Sequence, residues 1–159
     1  MLLLLLGATP LLARPVEPVA YATLQRSVEA ATHAQTIPEA RAFLRQFPQS
    51  SERQQVSFWL AEALYATQAY QDAVPVYRAL LHETPTFPQA ATALHHLGLS
   101  YLYSRRLNAA LATFAYLLEQ YPGVEDREQV LLHMATIYFE QGRFDEAVSY
   151  THLTLPTKA

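Results

Sequence analysis

LHHLGLSYLYSRRLNAALATFAYLLEQYPGV, residues 94–124, is the stretch whose reading decides the fold. Leu94, Leu97, Gly98 and Tyr101 recur at steps of three and four, which puts them on one stripe of a helix. Asn108 is placed to cap a second helix, whose stripe is Ala110, Phe114, Leu117 and Leu118. That helix is expected to end before Pro122, because proline disfavours helical geometry in the residue ahead of it. The stretch therefore predicts two antiparallel helices joined by a short turn. Alanine or glycine at their crossing lets the two backbones approach, and a leucine there would push them apart.

The pattern recurs along the chain. Pro48, Pro85 and Pro122 are each 37 residues apart, and Ala73, Ala110 and Ala147 keep that period. So do Ala61, Gly98 and Ala135, and so do Leu64, Tyr101 and Tyr138. Interleaved series at one period establish an internal repeat, with units at 51–87, 88–124 and an incomplete 125–147. Residues 23–50 precede them. Their second half follows the register of a repeat's second helix, while the first half, with Leu24, Val28 and Ala31, lacks the small residue at the crossing. This segment reads as a divergent hairpin that caps the stack.

The order Leu94, Leu97, Gly98, Tyr101, Ala110, Phe114, Pro122 resembles the tetratricopeptide repeat. Leu131, Met134, Ala135, Tyr138, Gly142, Phe144, Ala147 repeats that order, and Leu60, Ala61, Leu64, Tyr70, Ala73, Tyr77, Pro85 forms a third copy. The resemblance spans 35–147, with three residues more per unit than the usual period of about 34. Such longer units with Phe-Pro or Tyr-Pro junctions are similar to those of exported bacterial envelope proteins, such as the Tol-Pal-associated coordinator and outer-membrane assembly factors. Ser57, where the family favours a large apolar residue, and Thr36, in place of the alanine of the series, depart from the pattern.

The resemblance implies an all-α fold, a right-handed superhelical solenoid of antiparallel helix hairpins. It also implies a non-catalytic scaffold that holds a protein or peptide partner in a concave groove lined by the first helix of each unit. Carried over by register, the groove positions are Phe58, Glu62 and Tyr65; His95, Leu99 and Tyr103; and Leu132, Thr136 and Phe139. Aromatic anchors would hold an extended or helical segment there. The other reading of these side chains is packing against a missing neighbour hairpin or a following domain. Relatives that dock chaperone C-termini use Lys, Arg and Asn in the groove, and none of those types stands at the nine positions.

Composition narrows the chemistry. Apolar residues make up 51% of the 159, enough for a core, and a net charge of -3 without a basic block gives no electrostatic footprint for nucleic acid. With no Cys, thiolate catalysis, disulfides and Cys-based metal sites are excluded. The six histidines form no His-Glu-x-x-His pattern. His96 and His133 share a repeat position, so neighbouring helices would bring them near each other, but packing or surface histidines are the simpler reading. Glu125 with Asp126 and Asp145 with Glu146 fall at expected helix starts, where carboxylates favour the dipole. Trp59 reads as packing between helices. No cofactor or metal is expected.

Both ends carry further expectations. The apolar run 2–13 would span only ~18 Å as a helix at ~1.5 Å per residue, short of a ~30 Å bilayer core, and fits a secretory signal peptide within 1–22. Cleavage would follow Ala13 or Ala22, and the expected location is periplasmic, with an inner-membrane anchor as the alternative. At the other end the helical pattern is expected to stop at Val148. One back-translation from Ala147 onward matches a transposase-type sequencing adapter read in frame, which marks 148–159 as a non-native tail and the chain as a truncated solenoid. Truncation would leave the face around Leu131, Met134 and Tyr138 without its partner. A scaffold of this kind could also be the substrate-positioning arm of a larger envelope peptidase or peptidoglycan-cleaving enzyme.

Overall fold

In a computed structural model that describes residues 16–154, the chain forms helices and, among the described residues, no strand. They are α1 (Glu17–Glu29), α2 (His33–Gln46), α3 (Arg53–Ala66), α4 (Tyr70–Glu83), α5 (Ala90–Tyr103), α6 (Leu107–Gln120), α7 (Arg127–Glu140) and α8 (Phe144–Thr154). Each helix packs on the next in sequence, and α3 also reaches α5, so the hairpins stack in line as a solenoid. The period of 37 holds at the backbone: α3, α5 and α7 begin at Arg53, Ala90 and Arg127. The even-numbered helices begin at His33, Tyr70, Leu107 and Phe144, with the same spacing.

The first hairpin keeps this register too. Helix α1 begins at Glu17, ahead of the start at residue 23 read from the sequence, because its early residues have partners. Tyr21 stacks on Trp59 with ring centroids 5.3 Å apart, and Glu17 accepts a hydrogen bond from Ser50. Cleavage after Ala22 would remove these contacts, whereas cleavage after Ala13 would keep them. The run 2–13 itself lies outside the described residues; among those described, no helix is long and apolar enough to cross a membrane.

Every hairpin turns in the same way. Ala31, Gln68, Arg105 and Gly142 all have positive φ, from 52° to 73°, at the position just past the first helix. In the second hairpin Gln68 N–H donates to Tyr65 C=O and Ala69 N–H to Leu64 C=O, the paired bonds of a Schellman motif. The third hairpin repeats them with Arg105 to Leu102 and Arg106 to Tyr101. Only Gly142 adopts this geometry without the Cβ penalty. Gln68→Gly is therefore expected to stabilise the chain by about 0.5–1 kcal/mol, read as a higher urea midpoint with an unchanged slope.

The longer unit is explained between hairpins. Phe47 C=O accepts from Ser50 N–H and Tyr121 C=O from Val124 N–H, which seats Pro48 and Pro122 at the second position of a turn. A second turn follows at once, with Arg53, Ala90 and Arg127 N–H donating to the carbonyls of Ser50, Phe87 and Val124. This double turn delivers the chain to the next first helix. Asn108 does not cap α6 as its position suggested: the helix already begins at Leu107, and the Asn108 side chain instead accepts from Gln141 at 2.9 Å.

Within a hairpin the crossing is a close fit of a small residue against a ring. A Cβ built on Gly98 would lie 2.4 Å from the ring of Phe114, which is fully buried. Ala61 and Tyr77 hold the same register in the second hairpin. In the first the sizes are exchanged, Leu24 on α1 and Ala40 on α2, both buried. The missing small residue noted in the sequence is thus matched by a missing ring on the other helix.

Helix α8 corrects the break expected at Val148. It continues to Thr154, with Ala147 buried and Tyr150 stacked on Tyr138 at 5.2 Å, and no proline interrupts it before Pro156. Leu131 and Met134 are buried, so the face expected to lose its partner is covered by its own hairpin. The exposed apolar face lies elsewhere, on Leu132, Phe139 and Phe144.

Candidate protein-docking face

Helices α3, α5 and α7 carry the nine sequence-predicted groove residues, three each, but the structure divides them. Phe58 packs edge-on against buried Phe87 from the following turn, at 5.8 Å. His95 and Leu99 are buried. Tyr65 stacks on the His96 ring at 4.3 Å and nearly parallel, 7°. Glu62 lies between hairpins: it accepts from the Tyr77 hydroxyl at 2.5 Å and pairs with His96 Nδ1 at 2.9 Å. Burial pushes the Tyr65 phenol up to about 12, with Tyr103, Tyr70 and Glu62 adding to it. Burial and then the neighbouring Glu62 carboxylate raise Tyr77 further, so both phenols remain protonated. These residues join consecutive hairpins. Their neighbours are hairpins of this chain itself, which neither reading made from sequence specified.

Histidines form part of the same joints. His95 Nδ1 lies 3.3 Å from Asp126, while its Nε2 is buried without a hydrogen-bond partner. The Phe114 ring contacts both His95, at 6.3 Å, and His133, at 6.0 Å. His96 and His133 are thus drawn to different rings, Tyr65 and Phe114, and the described residues contain no cluster of three or more metal-ligating side chains. Asp126 sits at the start of α7 but makes no capping bond there; it turns to His95.

Burial depresses the affinity of His95 for a proton, His96 and His133 reinforce the effect, and Asp126 opposes it. Burial acts on His133 in the same direction. The unfolded chain, with ordinary values near 6.5, then binds more protons than the folded one just below that pH. Stability is expected to fall as pH drops from 7 towards 5 and to level off below the folded-state values. His95→Leu, which installs the residue type of the fourth hairpin, is expected to flatten that slope in urea titrations at several pH values.

At the C-terminal end the joint is open. Leu132, Phe139 and Phe144 are 53%, 64% and 57% exposed. With Ala135, Thr136, Ala147, Val148 and Thr151 they line an apolar groove of about 320 Å³. Phe144 meets Phe139 edge-on at 5.3 Å. Tyr103 is also half exposed, at 50%, and leans on Tyr70 at 4.8 Å. It is one residue out of register with Tyr65 and Phe139, a position that Leu102 occupies in the third hairpin. Phe144 is not among the nine groove residues expected from the sequence, because it opens a second helix; its spacing from Tyr70 and Leu107 carries the signal.

No curated protein matches the chain. Among solved structures, similarity is found to MamA of AMB-1, at 19% identity and TM-score 0.74, covering 87% of this chain and 71% of that one. MamA from Desulfovibrio magneticus RS-1 is similar at 15% identity and TM-score 0.71, covering 87% of this chain and 73% of that one. MamA MSR-1 is similar at 18% identity and TM-score 0.73, with 88% and 75% covered. At these identities the likeness shows a shared fold. The family profile described as tetratricopeptide repeat matches residues 34–91 and 95–151. With most of the described helices inside those two matches, the chain belongs to the tetratricopeptide repeat family.

Proposed function

We propose that this chain is a non-catalytic scaffold that binds a partner polypeptide through exposed apolar side chains of its repeats, those of the fourth hairpin above all. One observation carries the reading. Leu132, Phe139 and Phe144 are exposed and, with Thr136, line one apolar groove. Full burial of a leucine or phenylalanine side chain contributes about 1.5–3 kcal/mol, and the stack holds these three in fixed relation, so little ordering is lost on binding. Of the nine positions read from the sequence, Leu132, Thr136, Phe139 and Tyr103 are available to a partner. None of the residues that carry this reading lies after Ala147.

The test is selection from a random peptide library on the full-length purified chain. Peptides are expected whose binding is lost with Leu132→Ser or Phe139→Ser. Failure to select any, or binding indifferent to both substitutions, would overturn the assignment.

We further propose that the scaffold works in a bacterial envelope, exported by the apolar segment 2–13. The composition of that segment and the Phe-Pro and Tyr-Pro junctions support this placement. A fused reporter enzyme that is active only outside the cytoplasm is expected to be active, and an inactive fusion would refute export.

A further inference from the structure

The second helices α4 and α6 leave a groove between them that the stack does not fill. Two adjoining hollows, of about 280 and 400 Å³, share Leu81, Leu94 and Tyr116. Leu94 and Leu97 of α5 form the buried floor, Leu81 is half-buried, and Tyr116 is 48% exposed. Arg78 and His82, exposed and one helical turn apart, edge the groove on the α4 side. Opposite them, Ala112, Thr113 and Tyr116 of α6 carry no charge. The groove lies between two complete hairpins. A further hairpin at either end of the stack would pack on α1 and α2 or on α7 and α8, and would not cover these residues.

Charge is organised along the same face. One period before Arg78 and His82 stand Arg41 and Arg45, also exposed, on α2. None of these three arginines forms a hydrogen bond or ion pair among the described residues, whereas Arg53, Arg105 and Arg143 are paired with Glu83, Glu140 and Glu146. One period after His82 stands Glu119 on α6, so the positive stretch ends at the groove. In a chain of net charge -3, unpaired cations in register beside an apolar hollow are a local reversal of sign.

We infer that this groove docks an acidic segment of a partner polypeptide. One large apolar side chain of the segment sits between Leu81 and Tyr116, and carboxylates beside it meet Arg78 and, one repeat away, Arg41 and Arg45. A guanidinium can hold a carboxylate through two parallel N–H donors, which fixes the direction of the segment as well as its charge. Nucleic acid would draw its affinity from many phosphate contacts, for which the chain has too few cations. A hollow walled on both sides by helices admits a side chain and not a lipid surface. The surface stands apart from the fourth-hairpin face and does not rest on it.

The test uses the full-length chain carrying Leu132→Ser and Phe139→Ser, so that the fourth hairpin does not contribute. Peptides selected on it from a random library are expected to hold Asp or Glu on either side of one aromatic or leucine side chain. Binding of such a peptide, labelled with fluorescein and followed by anisotropy, should weaken at least tenfold with Arg78→Glu and with Tyr116→Ala, and should weaken as salt is raised. Both residues are exposed, and unchanged thermal midpoints would show that the fold is retained. The same peptide with lysine in place of its acidic residues should bind the Arg78→Glu protein better than it binds the parent chain. Recovery of no peptide, of peptides without acidic residues, or of binding indifferent to Arg78→Glu would overturn the inference. So would phosphatidylglycerol vesicles or a single-stranded oligonucleotide that bind more tightly than any acidic peptide. Each of these outcomes leaves the fourth-hairpin reading to its own test, since that face is disabled in every protein used.

Discussion

Phe114→Ala is expected to lower the stability of the chain by about 3–5 kcal/mol, among the largest effects available to a single substitution here. The ring is fully buried and lies against Gly98 of its own hairpin. It also reaches His95 of its own hairpin and His133 of the next, so it serves both the crossing and the joint that follows. Removing it leaves a cavity bordered by packed helices that have little freedom to collapse. Gly98→Ala tests the same contact from the other side. The new methyl would overlap the ring, at an overpacking cost of about 1–3 kcal/mol, against a gain in helix propensity of about 1 kcal/mol. In the Gly98→Ala background, Phe114→Leu should cost less than it does alone, because the smaller side chain leaves room for the methyl. Urea denaturation of the four proteins closes that cycle, and strict additivity would show that the two residues do not share the site.

Leu24→Ala should cost about 2–5 kcal/mol, confined to the first hairpin. The residue is buried at the crossing position, and its partner position across the hairpin is the buried Ala40. Ala40→Tyr alone should overpack the same space. Combined, the two substitutions give the first hairpin the alanine and tyrosine of the second, and the double variant is expected to recover a large part of the loss. Hydrogen exchange would place the effect in α1 and α2, since in a stack each hairpin depends mainly on its neighbours. A double variant less stable than either single one would show that the first hairpin crosses in a different way.

The repeat, its period and the antiparallel pairing of helices were legible in residues 94–124, and the structure has the same register at every hairpin. The break expected at Val148 does not occur. Val148 breaks the expected residue types, yet Val148 to Thr154 holds neither proline nor glycine, and Tyr150 lands on Tyr138. Departure from the repeat signature does not by itself end a helix: one aromatic contact at the right spacing and the absence of a breaker are compatible with its continuing. Asn108 was misread for a related reason: cap preference names a residue type, and the adjoining turn decides where the first N–H groups point.

The candidate site was half legible. Spacing put Phe58, Glu62, Tyr65, His95 and Leu99 together with Leu132, Thr136 and Phe139 on first helices, off the main stripe. It did not distinguish the side chains that meet the next hairpin from those that meet solvent. By itself the sequence determined the hairpin, its small-residue crossings and the period of 37, because these depend on spacing along one helix and on chain reversals a few residues long. Only the tertiary structure decided that Glu62 serves Tyr77 and His96, that His95 is sealed in a joint, and that Leu132, Phe139 and Phe144 lie open. Those outcomes depend on the offset and rotation between successive hairpins. Many side chains more than thirty residues apart set that rotation together, and no single helix's pattern contains it.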